Sequence, residues 1–107
     1  MKEIEIQNIA EYNELLKESK HILIIDAYAD WCSPCKKLKP ILIDVIKNHK
    51  NVQLVKINTD EVEEIIDALG VKSLPSIYAI INGKVVSSFV GLQNEKFVSD
   101  FIDKINV

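Results

Sequence analysis

Trp31-Cys32-Ser33-Pro34-Cys35 decides how this chain is read. Its two cysteines are the only ones among 107 residues. Before them, His21 to Ala29 is almost continuously apolar (Ile22, Leu23, Ile24, Ile25, Ala27, Tyr28), the pattern of a strand covered on both faces. After them, Pro34 to His49 repeats apolar residues at helical spacing: Leu38, Ile41, Leu42, Val45 and Ile46. A Cys-x-x-Cys where a strand passes into a helix brings two thiols within bonding reach. It also sets the first thiol at the positive end of the helix dipole, beside N–H groups without partners in the helix. The spacing points to dithiol–disulfide chemistry.

Composition narrows the field. The length suits one domain, and 48% hydrophobic residues are enough for a core. The net charge of −3 and the absence of arginine, all thirteen basic residues being lysine, argue against nucleic acid as a partner. No apolar run approaches the ~20 residues of a membrane span. The first residues, Met1 to Ile6, do not read as a secretory signal, and no Asn-x-Ser/Thr sequon occurs. Two cysteines without a signal do not make a structural disulfide framework, so a reducing compartment is expected. That is the cytoplasm, or an organelle after loss of a transit peptide.

Working outward, Lys2 to Ile6 alternates as a short first strand. Asn8 is positioned to cap a helix running to about Glu18, with Ile9, Tyr12, Leu15 and Leu16 on its face. Pro34 suits a first helical turn, and Pro40, inside the same helix, is expected to kink it. Val52 to Asn58 is a third strand. Val62, Ile65, Ile66 and Leu69 mark a short helix closed by Gly70. Ser76 to Ile81 and Lys84 to Val90 are strands joined by Asn82-Gly83, a strong hairpin signal. Asn94 caps a last helix with Phe97, Phe101, Ile102 and Ile105 facing inward. The order β-α-β-α-β-α-β-β-α implies an α/β fold: a central mixed five-stranded sheet flanked by four helices. On this reading each βαβ unit is a parallel crossover, and only the hairpin is antiparallel.

The arrangement closely resembles the thioredoxin family over essentially the whole chain. The resemblance is carried by residues 26–36 (Asp-Ala-Tyr-Ala-Asp-Trp-Cys-Ser-Pro-Cys-Lys), Pro40, residues 56–60 (Lys-Ile-Asn-Thr-Asp), Ser73-Leu74-Pro75-Ser76, Asn82-Gly83 and Val90-Gly91, in this order and spacing. The family's usual Gly-Pro between the cysteines is Ser33-Pro34 here, and its usual Trp is Tyr28. The resemblance implies one thioredoxin domain over residues 1–107, a monomer that reduces protein disulfides. It implies no bound cofactor: the Cys32–Cys35 pair is recharged by a thioredoxin reductase or a ferredoxin-linked equivalent.

Chemically, Cys32 is the attacking thiol, since only a thiolate is nucleophilic and the helix end favours one. Cys35, one turn on, resolves the mixed disulfide and is expected to be the more buried of the two. Asp26 interrupts the central strand. Burial raises a carboxyl's pKa, so Asp26 fits the role of proton acceptor for Cys35, the other reading being an Asp turned out at the strand end. The resemblance sets Lys56 beside Asp26 as a tuning cation; a solvated strand-edge lysine is the alternative. It also makes Pro75 a cis-proline against the cysteines, leaving the backbone of Ser73 and Leu74 open to an extended substrate segment. Trp31, Pro34, Leu74, Val90, Gly91 and Leu92 form the expected contact surface, Gly91 giving room for close backbone approach. Lys36, Lys37 and Lys39 read as a solvated helix face. Ser33-Pro34 lacks the histidine that favours an oxidant or isomerase. Metal binding needs two further ligands that neither a second Cys pair nor a nearby His supplies. A non-catalytic binding module stays open at this point.

Overall fold

The computed structural model describes residues 3–106. The elements are β1 (Ile4–Ile6), α1 (Ile9–Glu18), β2 (Ile22–Tyr28), α2 (Ser33–Ile46), β3 (Val52–Asn58), α3 (Glu64–Leu69), β4 (Ser76–Ile81), β5 (Lys84–Val90) and α4 (Glu95–Ile105). Lys2, expected at the start of the first strand, lies outside the described residues. The capping signals act as read. Asn8 accepts from the Glu11 N–H at 2.9 Å and Asn94 from the Phe97 N–H at 2.8 Å. Gly70 closes α3 in the left-handed region at φ 71°. Asn82 and Gly83 both take positive φ, as the tight hairpin between β4 and β5 requires.

The strands form one mixed sheet in the order β1-β3-β2-β4-β5. β3 runs parallel to β1 and to β2. β4 runs antiparallel to β2, and β5 to β4. This corrects the expectation that every βαβ unit is a parallel crossover. α3 has six residues, about 9 Å of helix, while seven residues of β3 extend about 23 Å. The connection through α3 does not carry the chain back along β3. β4 therefore enters at the end where β3 leaves, and Ser76 pairs with Ala27 at the close of β2. That end of the sheet collects the close of β2, the start of β4 and the close of β5.

Two cores sandwich the sheet. Leu38, Leu42, Val45 and Ile46 of α2, with Val98 and Ile102 of α4, pack on Ile24, Leu54, Ile77 and Phe89. Tyr12 of α1 and Ile65 of α3 cover Ile25, Val55, Ile57 and Ile80 on the other face. α2 ends at Ile46, not His49, because the N–H groups of Asn48 and His49 turn back to Val45 and Ile46 in tighter bonds. It passes through Pro40 unbroken. Phe97, expected inside, is 42% exposed. Val98 holds the inner position instead, and Phe97 meets Phe89 edge-on at 5.2 Å.

Candidate active site

β2 delivers the chain to the cysteines and α2 receives it. Ala29 is buried, and Cys32 caps α2 in extended backbone (φ −88°, ψ 107°). Its Sγ accepts the Cys35 N–H at 3.3 Å. The sulfur thus takes up one of the N–H groups that the first helical turn leaves without a partner. The α2 first turn carries no acidic residue to oppose negative charge there. Cys32 and Cys35 form a disulfide, their Cα atoms 5.3 Å apart.

Both cysteines are 4% exposed, so Cys35 is not the more buried of the pair in this oxidised form. The two differ in what they face. Cys32 lines an open groove of about 590 Å³, together with Trp31, Ser33, Pro34, Leu74, Thr59, Asp60, Ile66, Val71, Lys72 and Ser73. Cys35 lines a smaller inner cavity of about 130 Å³, with Asp26, Tyr28, Ala29, Asp30, Lys36, Lys39 and Lys56. The disulfide is the partition between them.

On the groove side, Trp31 is 72% exposed, and its indole N–H donates to Asp60 Oδ2 at 2.9 Å. Asp60 is held in turn: its N–H donates to Asn58 Oδ1, and the Thr59 N–H donates to the Tyr28 carbonyl at 2.8 Å. Leu74 packs on the cysteines, and the Leu74–Pro75 bond is cis, with Pro75 buried. The Gly91 N–H donates to the Pro75 carbonyl at 2.9 Å. Val90, Gly91 and Leu92 thus stand beside Pro75, although they do not line the groove itself. A Cβ at Gly91 would meet nothing within 4 Å. Its φ of +91° is one that L side chains rarely adopt, which favours glycine there.

On the cavity side, Asp26 is 2% exposed in the middle of β2, with Oδ1 lacking any hydrogen-bond partner among the described residues. It is not a strand-end residue turned outward. Burial, first of all, pushes its carboxyl up to about 7; Lys39 and then Lys56 pull against the rise, and Glu5 adds to it. Lys56 pairs with Asp26 in the β2–β3 register. Its side chain is only 15% exposed, so it is not a solvated edge lysine, and its ammonium bonds Glu3 Oε1 at 3.2 Å and Glu5 Oε1 at 3.5 Å. Burial works against the Lys56 charge, yet the carboxylates of Glu3 and Glu5 leave it above the ordinary lysine range.

Lys39, read from sequence as part of a solvated face, is half-buried and lines the cavity. The spacing held the clue: Cys35 and Lys39, four apart, share a helix face. For Asp60 there was no such clue, since it meets Trp31 from 29 residues away. Ile66 likewise reaches the groove only through the fold.

The fold and the site define a thioredoxin-fold protein built around one redox-active disulfide. The family model described as Thioredoxin matches residues 3–104. A thioredoxin of Rickettsia typhi is 37% identical over 92% of this chain and 94% of its own length. A mitochondrial thioredoxin of Mus musculus is 31% identical over 94% of this chain and 61% of its own. The solved structure of Plasmodium falciparum thioredoxin superposes with a TM-score of 0.87 at 26% identity, covering 94% of this chain and 97% of that one. This chain belongs to the thioredoxin family, and it is a thiol–disulfide oxidoreductase working through Cys32 and Cys35.

Proposed function

We propose that this chain acts as one domain, a monomeric reductant of protein disulfides, with Cys32 attacking and Cys35 resolving. The observation that carries it is the partition: Cys32 lines an open groove, and Cys35 a smaller, less open cavity holding a protonatable carboxyl. In the reduced protein the Cys32 thiolate attacks a substrate disulfide. A Cys32–substrate bond forms, the substrate S–S bond breaks, and one substrate thiolate leaves. Cys35 then gives its proton to Asp26, whose carboxyl near 7 is part ionised at neutral pH. The Cys35 thiolate attacks Cys32 Sγ, the Cys32–Cys35 bond forms, and the second substrate thiolate leaves. Two electrons pass from the protein dithiol to the substrate, and the proton on Asp26 is free for a departing thiolate.

Lys56 and Lys39 tune Asp26 across the cavity. An extended substrate segment adds to the open backbone at Ser73 and Leu74, beside Pro75. Trp31 and Pro34 hold its apolar side chains on one flank, and Val90, Gly91 and Leu92 meet it on the other. A thioredoxin reductase, or a ferredoxin-linked equivalent, returns the two electrons. Neither nucleic acid nor membrane is a partner. The compartment proposed is the cytoplasm, because both cysteines serve as a redox pair and none as a structural bridge.

The test is insulin-disulfide reduction by dithiothreitol. The wild-type chain should accelerate it, and Cys32→Ser should fall to the dithiothreitol background. Cys35→Ser should accumulate a persistent mixed disulfide through Cys32. A wild-type rate at background overturns the reading.

A further inference from the structure

On the α2 face of the sheet, three charged residues stand in one row across adjacent strands: Glu5 opposite Lys56, and Lys56 opposite Asp26. Lys56 therefore has acceptors on both sides. Its ammonium lies with the carboxylates of Glu3, just before β1, and of Glu5 on β1, at 3.2 and 3.5 Å. Glu5 is itself fixed from β2, where the Tyr28 hydroxyl lies 3.0 Å from each of its carboxylate oxygens. Tyr28 is two residues past Asp26 and lines the same cavity.

We propose that Glu5, anchored by Tyr28, is a positioning residue for the redox step: it holds the Lys56 ammonium on the β1 side and so leaves Asp26 free to take up a proton. Two sets of carboxylates compete for one cation. A lysine paired directly with a buried carboxylate stabilises its charged form, which would take Asp26 out of the range where it accepts a thiol proton. Here that cation is bound by two carboxylates one strand away. The groups facing Asp26 are few. α2 contributes Cys35, Lys36 and Lys39, β3 contributes Lys56, β1 contributes Glu5, and β2 with its exit contributes Tyr28 and Asp30. β4 contributes Ile77, which carries no charge. Among these, Lys56 is the cation with an alternative partner on β1, so its position is the adjustable one. The inference deepens the proposed role of Asp26 and rests on it.

The test follows the Asp26 carboxyl directly, by its ¹³C signal against pH in the oxidised protein. In Glu5→Gln, an isosteric change on a partly exposed edge strand, the Asp26 midpoint should fall by about one pH unit, a tenfold loss of proton affinity. Glu3→Gln, which removes the other acceptor of Lys56, should shift it the same way by less. In a Lys56→Met background the Glu5→Gln shift should shrink to a small remainder, since the cation that carries it is gone. An unmoved midpoint in both glutamine variants overturns the proposal. So does a Glu5→Gln shift of the same size with and without Lys56. The pH profile of insulin reduction separates the two layers. If Asp26→Asn leaves that profile unchanged, Asp26 is not the proton acceptor, while the Glu5–Lys56–Asp26 coupling is still read from the carboxyl signal.

Discussion

The groove side and the cavity side of one disulfide are built from opposite materials. The groove is open, walled by Trp31, Pro34, Leu74 and Ile66, and its key side chain is largely in solvent. The cavity is small and lined by charged groups under α2, with a carboxyl that has lost nearly all its water. In the proposed mechanism Cys32, on the first side, meets the substrate, and Cys35, on the second, meets the proton acceptor Asp26. Equal exposure of the two cysteines therefore hides unequal chemistry, and the difference lies in what each faces.

The comparison breaks most visibly at Asp26. Its carboxyl ionises near 3.8 when unfolded and near 7 when folded. Between those values the folded state holds the extra proton, so stability falls as pH rises through that window and stays low above it. About three pH units at about 1.4 kcal/mol each give a cost of about 4 kcal/mol above pH 7. Asp26→Asn, which never ionises, should be about 2–4 kcal/mol more stable than wild type at pH 8 and close to it below pH 4, by urea unfolding. The same variant should resolve the mixed disulfide about tenfold to a hundredfold more slowly at neutral pH, in single-turnover kinetics.

The groove side should respond in the reverse sense. Trp31→Ala removes a ring that is 72% exposed, so stability should barely move. KM for a protein disulfide should rise by about 5–30-fold, the equivalent of one to two kcal/mol. Asp60→Ala leaves the ring but frees its indole N–H. It should raise KM only about two- to fivefold, since an exposed hydrogen bond contributes about 1 kcal/mol or less. If Trp31→Ala instead changed the pH profile, or Asp26→Asn changed KM alone, the division of labour between the two sides would be lost.

Local signals were legible where the physics is local. Strands β3, β4 and β5 stand where alternation and turn residues put them, and Asn8, Asn94 and Gly70 end their helices as their chemistry requires. The oxidoreductase reading came from five residues, because a thiol pair at a strand–helix junction is chemically distinctive at any distance from the rest of the chain. Lys39 was half legible, its face given by spacing but its burial by the sheet beneath. Asp60 on Trp31, and Glu5 on Tyr28 and Lys56, were not legible, because each pair joins strands or loops far apart in the chain.

By itself, then, the chain's order of residues determined its elements, its caps and the identity of its reactive pair, all consequences of contacts within a few residues. Only the tertiary structure decided that β4 runs against β2, that Cys32 and Cys35 face different spaces, and which side of the sheet Lys56 serves. Those depend on which strands become neighbours. That neighbourhood is set by the end of the sheet to which the connection through α3 brings the chain and by which faces bury together, properties of the whole fold that no short stretch contains.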